Sequence, residues 1–388
     1  MLFVSTNPRK KGTVNKRLKR TYDVLIVGAG PAGLGMGLTL QTLGLKNFVL
    51  LERYEVGASF RRWPREMRMI TPSFNSQAFG CLDLNAIAPY TSPAYTLKME
   101  HPDGQSYATY LQLVSNYFKL PVRSGVNVKD VYLDADGNFQ VHTENGDWRA
   151  RFVIWAAGEY QYPKQPTFPG GEFCLHNSRV SSWQDVPGQR VVVIGGFESG
   201  IDAAVNLARM GKHVQVLERS KVQQRDGQDP STSLSPYTLE RLRETMAKGH
   251  VELFDGMEVK GITRVGNQFT VHTAGGEQFN ADTPPILAIG FESSARLIES
   301  RFAWRQDGLP ELTEQDESTL TPGLFLVGPS VRQKEVIFCF IYKFRQRFAV
   351  VANAIGKRLG MDTEPLEELR AYGMYLDDLS CCSQTCLC

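Results

Sequence analysis

Two glycine turns in this 388-residue chain have the spacing that wraps a phosphate. The first reads Gly28-Ala29-Gly30-Pro31-Ala32-Gly33. In such a turn the first glycine permits the tight bend and the second lets the backbone approach a pyrophosphate. The third lets the next helix pack on the strand. The free N–H groups and positive pole of that helix favour an anion. About twenty residues on, where a carboxylate accepts hydrogen bonds from a ribose hydroxyl, stands Glu52, followed by Arg53. The candidate contacts of the first site are Gly28, Gly30, Pro31, Ala32, Gly33, Glu52 and Arg53.

The second turn reads Gly195-Gly196-Phe197-Glu198-Ser199-Gly200. Phe197 replaces the middle glycine, which bears on how closely a pyrophosphate approaches rather than on the fold. Gly195, Gly196, Ser199 and Gly200 are the candidate contacts. Glu218 ends the strand that follows, and Arg219, Ser220 and Lys221 come next. Glu218 suits a free ribose 2′-hydroxyl, as in NADH; Arg219 and Lys221 suit a 2′-phosphate, as in NADPH. The reading leans to NADPH and leaves NADH open. Two dinucleotide sites in one chain are the arrangement by which hydride passes from a nicotinamide to a flavin.

The elements that must position these turns follow from the apolar pattern. Tyr22–Val27, Phe48–Leu51, Arg190–Ile194 and His213–Leu217 are short, β-branched apolar runs, the signature of strands covered on both faces. Leu34–Leu43 and Ile201–Met210 read as the helices, stopped by Gly44 and Gly211. Residues 152–158, 285–290 and 323–328 are three further strands that end in small residues, Gly158 and Gly328 among them, where backbone passes close to a flat cofactor. The expected fold is α/β, with two Rossmann-like three-layer domains, the NAD(P)-binding domain inserted into the FAD-binding domain. The expected boundaries are a basic disordered arm (1–20), a first FAD-binding segment (21–185), an NAD(P)H-binding insert (186–287), a second FAD-binding segment (288–360) and a cysteine-rich tail (361–388). A helix from about Lys334 would put Phe340, Phe344 and Phe348 on one face, either as core packing or with the helix N-terminus near Val336 approaching the flavin ring. The irregular stretch from Gly57 to Tyr110 is either a substrate lining or a structural cover.

Composition limits the function classes. Lys plus Arg is 43 and Asp plus Glu is 41, a formal net charge of +2 that argues against nucleic acid as partner. No apolar run approaches the roughly 18 residues of a membrane helix, and no apolar stretch follows the basic cluster from Arg9 to Arg20, so a secretory signal is not expected. A cytoplasmic protein without membrane association is expected. Cys81, Cys174 and Cys339 read as reduced, mostly buried core residues, and no metal-ligating residue is assigned.

The motifs resemble those of the thioredoxin-reductase-like and class B flavin-monooxygenase-like oxidoreductases. The resemblance rests on GAGPAG at 28–33, AAGEYQYP at 156–163, FPGGEF at 168–173 with His176, VVVIGGFESGIDAA at 191–204 and LAIGF at 287–291. It implies FAD at the first site and NAD(P)H at the second. It does not fix the acceptor. A thioredoxin reductase carries a CxxC pair in the nicotinamide domain, and residues 188–287 contain no cysteine. Bacillithiol disulfide reductases place a cysteine in the first turn, where this chain has Ala32. Disulfide reductases also follow the third strand's glycine with Asp, and here Pro329 follows Gly328. Phe168, Gly170, His176 and Trp183 loosely match the linker fingerprint of flavin monooxygenases.

Cys381, Cys382, Cys386 and Cys388 crowd the last eight positions, and the pair after Leu379-Ser380 is similar to the ending of mercuric reductases. These four are the candidate redox residues. A chain extended from Asp362 to Cys381 would span up to about 60 Å, enough for a mobile thiol carrier. The first expectation is an FAD-dependent NAD(P)H oxidoreductase that reduces a small-molecule or thiol/disulfide acceptor, or a soft metal, with help from the tail. A flavin monooxygenase acting on a small soft nucleophile, and a redox or metal sensor with little turnover, are the alternatives. A homodimer is left open.

Overall fold

The structure, a computed structural model, describes residues 20–75, 81–220 and 231–380. The basic cluster from Arg9 to Lys19, Lys221 and the four tail cysteines lie outside them.

The chain opens with β1 (Thr21–Val27), α1 (Pro31–Thr42) and β2 (Phe48–Leu51). Val24 to Val27 and all of β2 are buried, as expected of strands covered on both faces. The helix begins three positions before the apolar pattern does, because Pro31 supplies a preset helical φ at a position whose N–H has no partner anyway. Short helices α2 (Ala58–Arg61) and α3 (Pro93–Leu97) and the longer α4 (Gly104–Tyr117) then lead to β3 (Val122–Arg123). Strands β4 (Val128–Leu133), β5 (Phe139–Thr143) and β6 (Trp148–Trp155) complete this stretch. They form one sheet in the order β3-β2-β1-β6-β5-β4. Its β3, β2, β1 and β6 run parallel, and β5 and β4 fold back antiparallel.

A second sheet is built before the first is finished. It contains β7 (Leu175–His176), β8 (Arg190–Ile194), β9 (His213–Glu218), β10 (Val251–Asp255) and β14 (Ile286–Leu287), all parallel, in the order β10-β9-β8-β14-β7. Two helices, α5 (Glu198–Arg209) and α6 (Pro236–Ala247), pack on one face. An antiparallel meander of β11 (Val259–Val265), β12 (Gln268–Thr273) and β13 (Gln278–Ala281) covers the other. The alternation along β8 shows the three layers directly. Val191 and Val193 meet the helices, while Val192 and Ile194 meet the meander. The chain then returns to the first sheet as β15 (Leu324–Leu326), parallel to β6 through Leu324–Val153 and Leu326–Trp155. The second unit is thus inserted into the first.

Three expectations are corrected. Residues 334–340 are not helical. Lys334 turns a hairpin between β16 (Arg332–Gln333) and β17 (Val336–Ile337), with a left-handed φ of 53°, and β-branched Val336 and Ile337 favour the strand. The helix begins instead at α7 (Ile341–Phe344) and continues through a 3-10 turn into α8 (Phe348–Arg358). The stretch after Asp362 is no extended tether. Leu366, Leu369, Met374 and Tyr375 are buried in the first core, and Leu376 donates to the Gln346 carbonyl at 2.9 Å. Its apolar side chains gain more by packing than a free tether would. Of the three scattered cysteines, Cys81 is exposed, and Cys174 and Cys339 are half-buried.

The return leg is pinned by a buried ion pair. Arg347 and Asp316 are 1% and 0% exposed. Arg347 Nε donates to Asp316 Oδ2 at 2.9 Å, and its two terminal nitrogens donate to the Leu376 and Glu314 carbonyls. Gln333 donates to the other Asp316 oxygen at 2.6 Å. Removing the carboxylate alone strands a buried guanidinium, which costs about 3–5 kcal/mol. Asp316→Ala should therefore lower the denaturant midpoint of the apoprotein by a corresponding amount with little change in slope, measured by urea unfolding.

Candidate functional site

The two glycine turns are built by the same local physics. Gly28 has φ 107°, and a β-carbon there would come within 2.5 Å of the Ala156 carbonyl oxygen on the neighbouring strand. A β-carbon at Gly33 would come within 2.0 Å of the Gly28 carbonyl oxygen, so the helix can start only against a glycine. Gly195 and Gly200 repeat both relations, against Ala288 and Gly195 respectively. Gly30 differs. A β-carbon there would meet nothing within 4 Å. The fold needs two of the first three glycines; the third leaves open space over the N-terminus of α1.

The acid at the end of each second strand holds its turn. Glu52 Oε2 accepts from the Ala29 N–H at 2.8 Å and Oε1 from the Tyr54 N–H at 2.9 Å. Glu218 Oε2 accepts from the Gly196 N–H at 2.6 Å and Oε1 from the Ser220 N–H at 2.9 Å. Both carboxylates are buried. Each Glu52 oxygen keeps a lone pair for a further donor such as a ribose hydroxyl. Arg219 is exposed at the end of β9.

A cavity of about 410 Å³ joins the two turns. Of the residues picked out by spacing, Gly28, Gly30, Pro31, Ala32, Glu52, Arg53, Gly158 and Ser199 line it. Gly33, Gly196 and Gly200 are buried and Gly195 half-buried, none of them on the cavity wall, and Gly328 lies with its Cα side against Ala32. The irregular stretch after Gly57 supplies one wall, with Trp63, Met67, Met69 and Asn85. Asn85 is fixed there by donating to the Thr71 carbonyl and to Ser73 Oγ, both at 2.8 Å.

Several wall residues carried no spacing signal. Glu198 and Asp202, one turn apart on α5, and Phe291 and Cys339 face the cavity, beside Phe340 of the aromatic series. Burial pushes the carboxyls of Glu198 and Asp202 up, although Thr238 and Ser235 bond the first and Arg241 pairs with the second at 2.9 Å. Burial likewise pushes the Cys339 thiol up, against the lowering effect of a bond to Ser231 at 3.2 Å. An acid in the first turn of α5 was the visible trace of this wall.

Two linkers cross between the sheets side by side. Lys164 N–H donates to the Gly290 carbonyl at 3.1 Å and Glu292 N–H to the Tyr162 carbonyl at 2.8 Å. Gln161 ties the first linker to the first unit, accepting from Arg53 and Arg62 and donating to Ser59 Oγ at 3.0 Å. His176 supports the second linker. Its Nδ1 accepts from the Ser178 N–H, so Nε2 carries the proton and donates to the Gly290 carbonyl at 3.2 Å. Burial lowers the pKa of this ring. The other fingerprint residues are structural. Phe168 packs on the meander core, a β-carbon at Gly170 would strike the Ile262 carbonyl oxygen, and Trp183 is fully buried with its backbone N–H on Glu66 at 2.9 Å.

The glycines separate fold from ligand space experimentally. Gly33→Ala should lower the apoprotein melting temperature or abolish soluble expression. Gly30→Ala should leave the far-ultraviolet circular dichroism and melting of the apoprotein at the wild-type values.

Comparison with known proteins agrees with this architecture. Bacilliredoxin reductase Bdr of Bacillus subtilis is 23% identical over 337 residues, covering 86% of this chain and 97% of that protein. Probable indole-3-pyruvate monooxygenase YUCCA1 of Arabidopsis thaliana is 25% identical over 230 residues, which is 56% of this chain. The chain spans about half the length of that relative, 52%. The solved structure of bacillithiol disulfide reductase Bdr from Staphylococcus aureus superposes with a TM-score of 0.72 at 20% identity, covering 87% of this chain and 99% of that one, a likeness of fold. Residues 25–328, which span both turns, both linkers and β15, match one family along their whole length. The chain belongs to the pyridine nucleotide-disulphide oxidoreductase family, whose members are FAD- and NAD(P)H-dependent enzymes.

Proposed function

We propose that this protein takes hydride from NADPH onto FAD and passes the electrons to a disulfide or soft-metal acceptor. The observation that carries the reading is the continuity of one cavity from the Gly28–Gly33 turn to Ser199 at the start of α5. Two nucleotides laid along the two turns would meet end to end there. The site fits FAD on its own terms. Gly30 leaves space for a pyrophosphate at a helix N-terminus, and Glu52 retains lone pairs for a ribose. Bound FAD supplies the two-electron chemistry by which hydride becomes reducing power for an acceptor.

This chain's residues would bind and position. Gly28, Gly30, Pro31, Ala32 and Gly33 would present backbone N–H groups to the FAD pyrophosphate, with Glu52 on the ribose and Arg53 beside it. Gly158 and Gly328 would let backbone pass close to the cofactor. Gly195, Gly196, Ser199 and Gly200 would do the same for the nicotinamide nucleotide, and Arg219 and Lys221 would hold its 2′-phosphate. The apolar wall of Trp63, Met67, Met69 and Phe340 would exclude water from the junction. Cys381, Cys382, Cys386 and Cys388 would carry thiol chemistry to the acceptor, since the half-buried Cys339 thiol is held protonated by its surroundings. A flavin monooxygenase is the second reading, favoured by Ala32 in the turn position where a thiol would stand and by the alignment with a plant monooxygenase. The cytoplasm is the compartment we assign, with a homodimer open to the same measurements.

Purified protein should be yellow, and NADPH should bleach the flavin under anaerobic conditions. A colourless protein that refuses added FAD sinks the proposal. Gly30→Ala should weaken FAD binding by about tenfold or more, roughly 1.4 kcal/mol. Arg219→Ala should raise KM for NADPH by about tenfold while leaving that for NADH nearly unchanged, as expected for loss of one charge-assisted contact to a 2′-phosphate. Replacing the four tail cysteines with serine should remove reduction of disulfide acceptors; retained turnover would favour the monooxygenase reading, which a flavin hydroperoxide absorbance band on mixing with oxygen would identify.

A further inference from the structure

Glu159 is a carboxyl on the cavity wall for which the architecture has no evident use. It follows Gly158 at the start of the first linker and is half-buried. Among the described residues its carboxylate makes no hydrogen bond and no ion pair. This contrasts with the neighbouring acids. Glu52, Glu66, Glu198 and Asp202 are each held by two or more donors. The charges that act on Glu159 come from two sides. Arg332, at the base of the hairpin, is itself half-buried and spends one nitrogen on the Pro329 and Val331 carbonyls. Lys164, five residues along the linker, is exposed. The third neighbour is the Cys339 thiol, which also lines the cavity. Glu159 therefore stands between a solvent-facing cation and the cavity that joins the two turns.

We propose that Glu159 relays a proton into this cavity during turnover. The proposal rests on the hydride-transfer reading above. NADPH gives a hydride, which is two electrons and one proton. A disulfide acceptor takes two electrons and two protons to leave as two thiols. One proton is therefore missing and has to be delivered to the reacting sulfur in the cavity. The O–H bond of Glu159 breaks, an S–H bond forms on the leaving sulfur, and the carboxylate recovers a proton from water on the Lys164 side. If the acceptor is oxygen, the overall reaction still consumes one proton beyond the hydride, so the relay serves either acceptor. Burial pushes the Glu159 carboxyl up, and Arg332 and Lys164 oppose that rise, which leaves a group able to hold its proton further toward neutrality than an ordinary carboxylate.

The test uses the flavin-loaded protein and Glu159→Gln. An acid must be protonated to act, so wild-type turnover should be flat at low pH and fall as pH rises through the raised pKa of Glu159. The Gln variant should keep the flavin spectrum, lose about a hundredfold in turnover at the plateau and lose that limb. Glu159→Asp should restore the limb in part. Infrared difference spectra of the apoprotein should show a protonated-carboxyl band that is absent from the Gln variant and disappears over the same pH range as activity. Lys164→Met, at an exposed position, removes a cation and should move the limb to higher pH, which keeps the question decidable if the Gln variant does not fold. A wild type whose flavin NADPH never bleaches overturns the hydride reading and the relay with it. A wild type that bleaches normally, while Glu159→Gln keeps the wild-type rate and pH profile or Lys164→Met leaves the limb in place, overturns the relay alone.

Discussion

Each half of this molecule depends on one contact: the carboxylate that ends a second strand receives an N–H from the glycine turn that ends the first. Glu52 does this for Ala29 and Glu218 for Gly196. The turn and the acid lie more than twenty residues apart in each case. Their pairing fixes the distance between the start of the helix and the acid. A buried carboxylate is costly unless its oxygens are filled. Here backbone donors fill them.

The cavity depends on a second arrangement, the insertion of one unit into the other. If the second sheet followed the first in series, a single linker would join them and their relative pose would be loosely held. Insertion gives two linkers, which pair with each other through residues 162–164 and 290–292. His176 braces one of them and Gln161 the other. Trp63, Tyr160, Phe291 and His176 then run as a row of neighbouring rings from the first unit to the second. Residues 158–162 and Phe291 of these linkers contribute to the wall of the cavity between the turns.

Local signals in the sequence carried the architecture. The β-branched runs, the glycine spacing and the terminal acids each act within a few residues of chain, so Phe48–Leu51 and Arg190–Ile194 are strands with the bounds their pattern suggests. The geometry of the turns was legible for the same reason. What was not legible depends on distant partners. Asp316 and Arg347 meet only because the return leg folds back on itself. Asp202 reads as an ordinary helix residue until Arg241 is brought against it. The aromatic series at 340, 344 and 348 suggested a longer helix than forms, because periodicity does not register the hairpin turn at Lys334. The Phe168-to-Trp183 fingerprint marks a way of joining the units rather than a reacting group. Glu159 sat inside a recognised motif, yet nothing local distinguishes a carboxyl with partners from one without.

The paired linkers also bear on how such an enzyme can be taken apart. Because Lys164 and Gly290 are hydrogen-bonded neighbours, the segment between them starts and finishes at nearly one point in space. It has a sheet of its own, with separate apolar clusters on its two faces. Domains whose ends lie close together tolerate excision and transplantation. The nicotinamide-side unit is therefore a cassette: a related unit with a different coenzyme preference could be spliced across the same two positions without rerouting the host sheet.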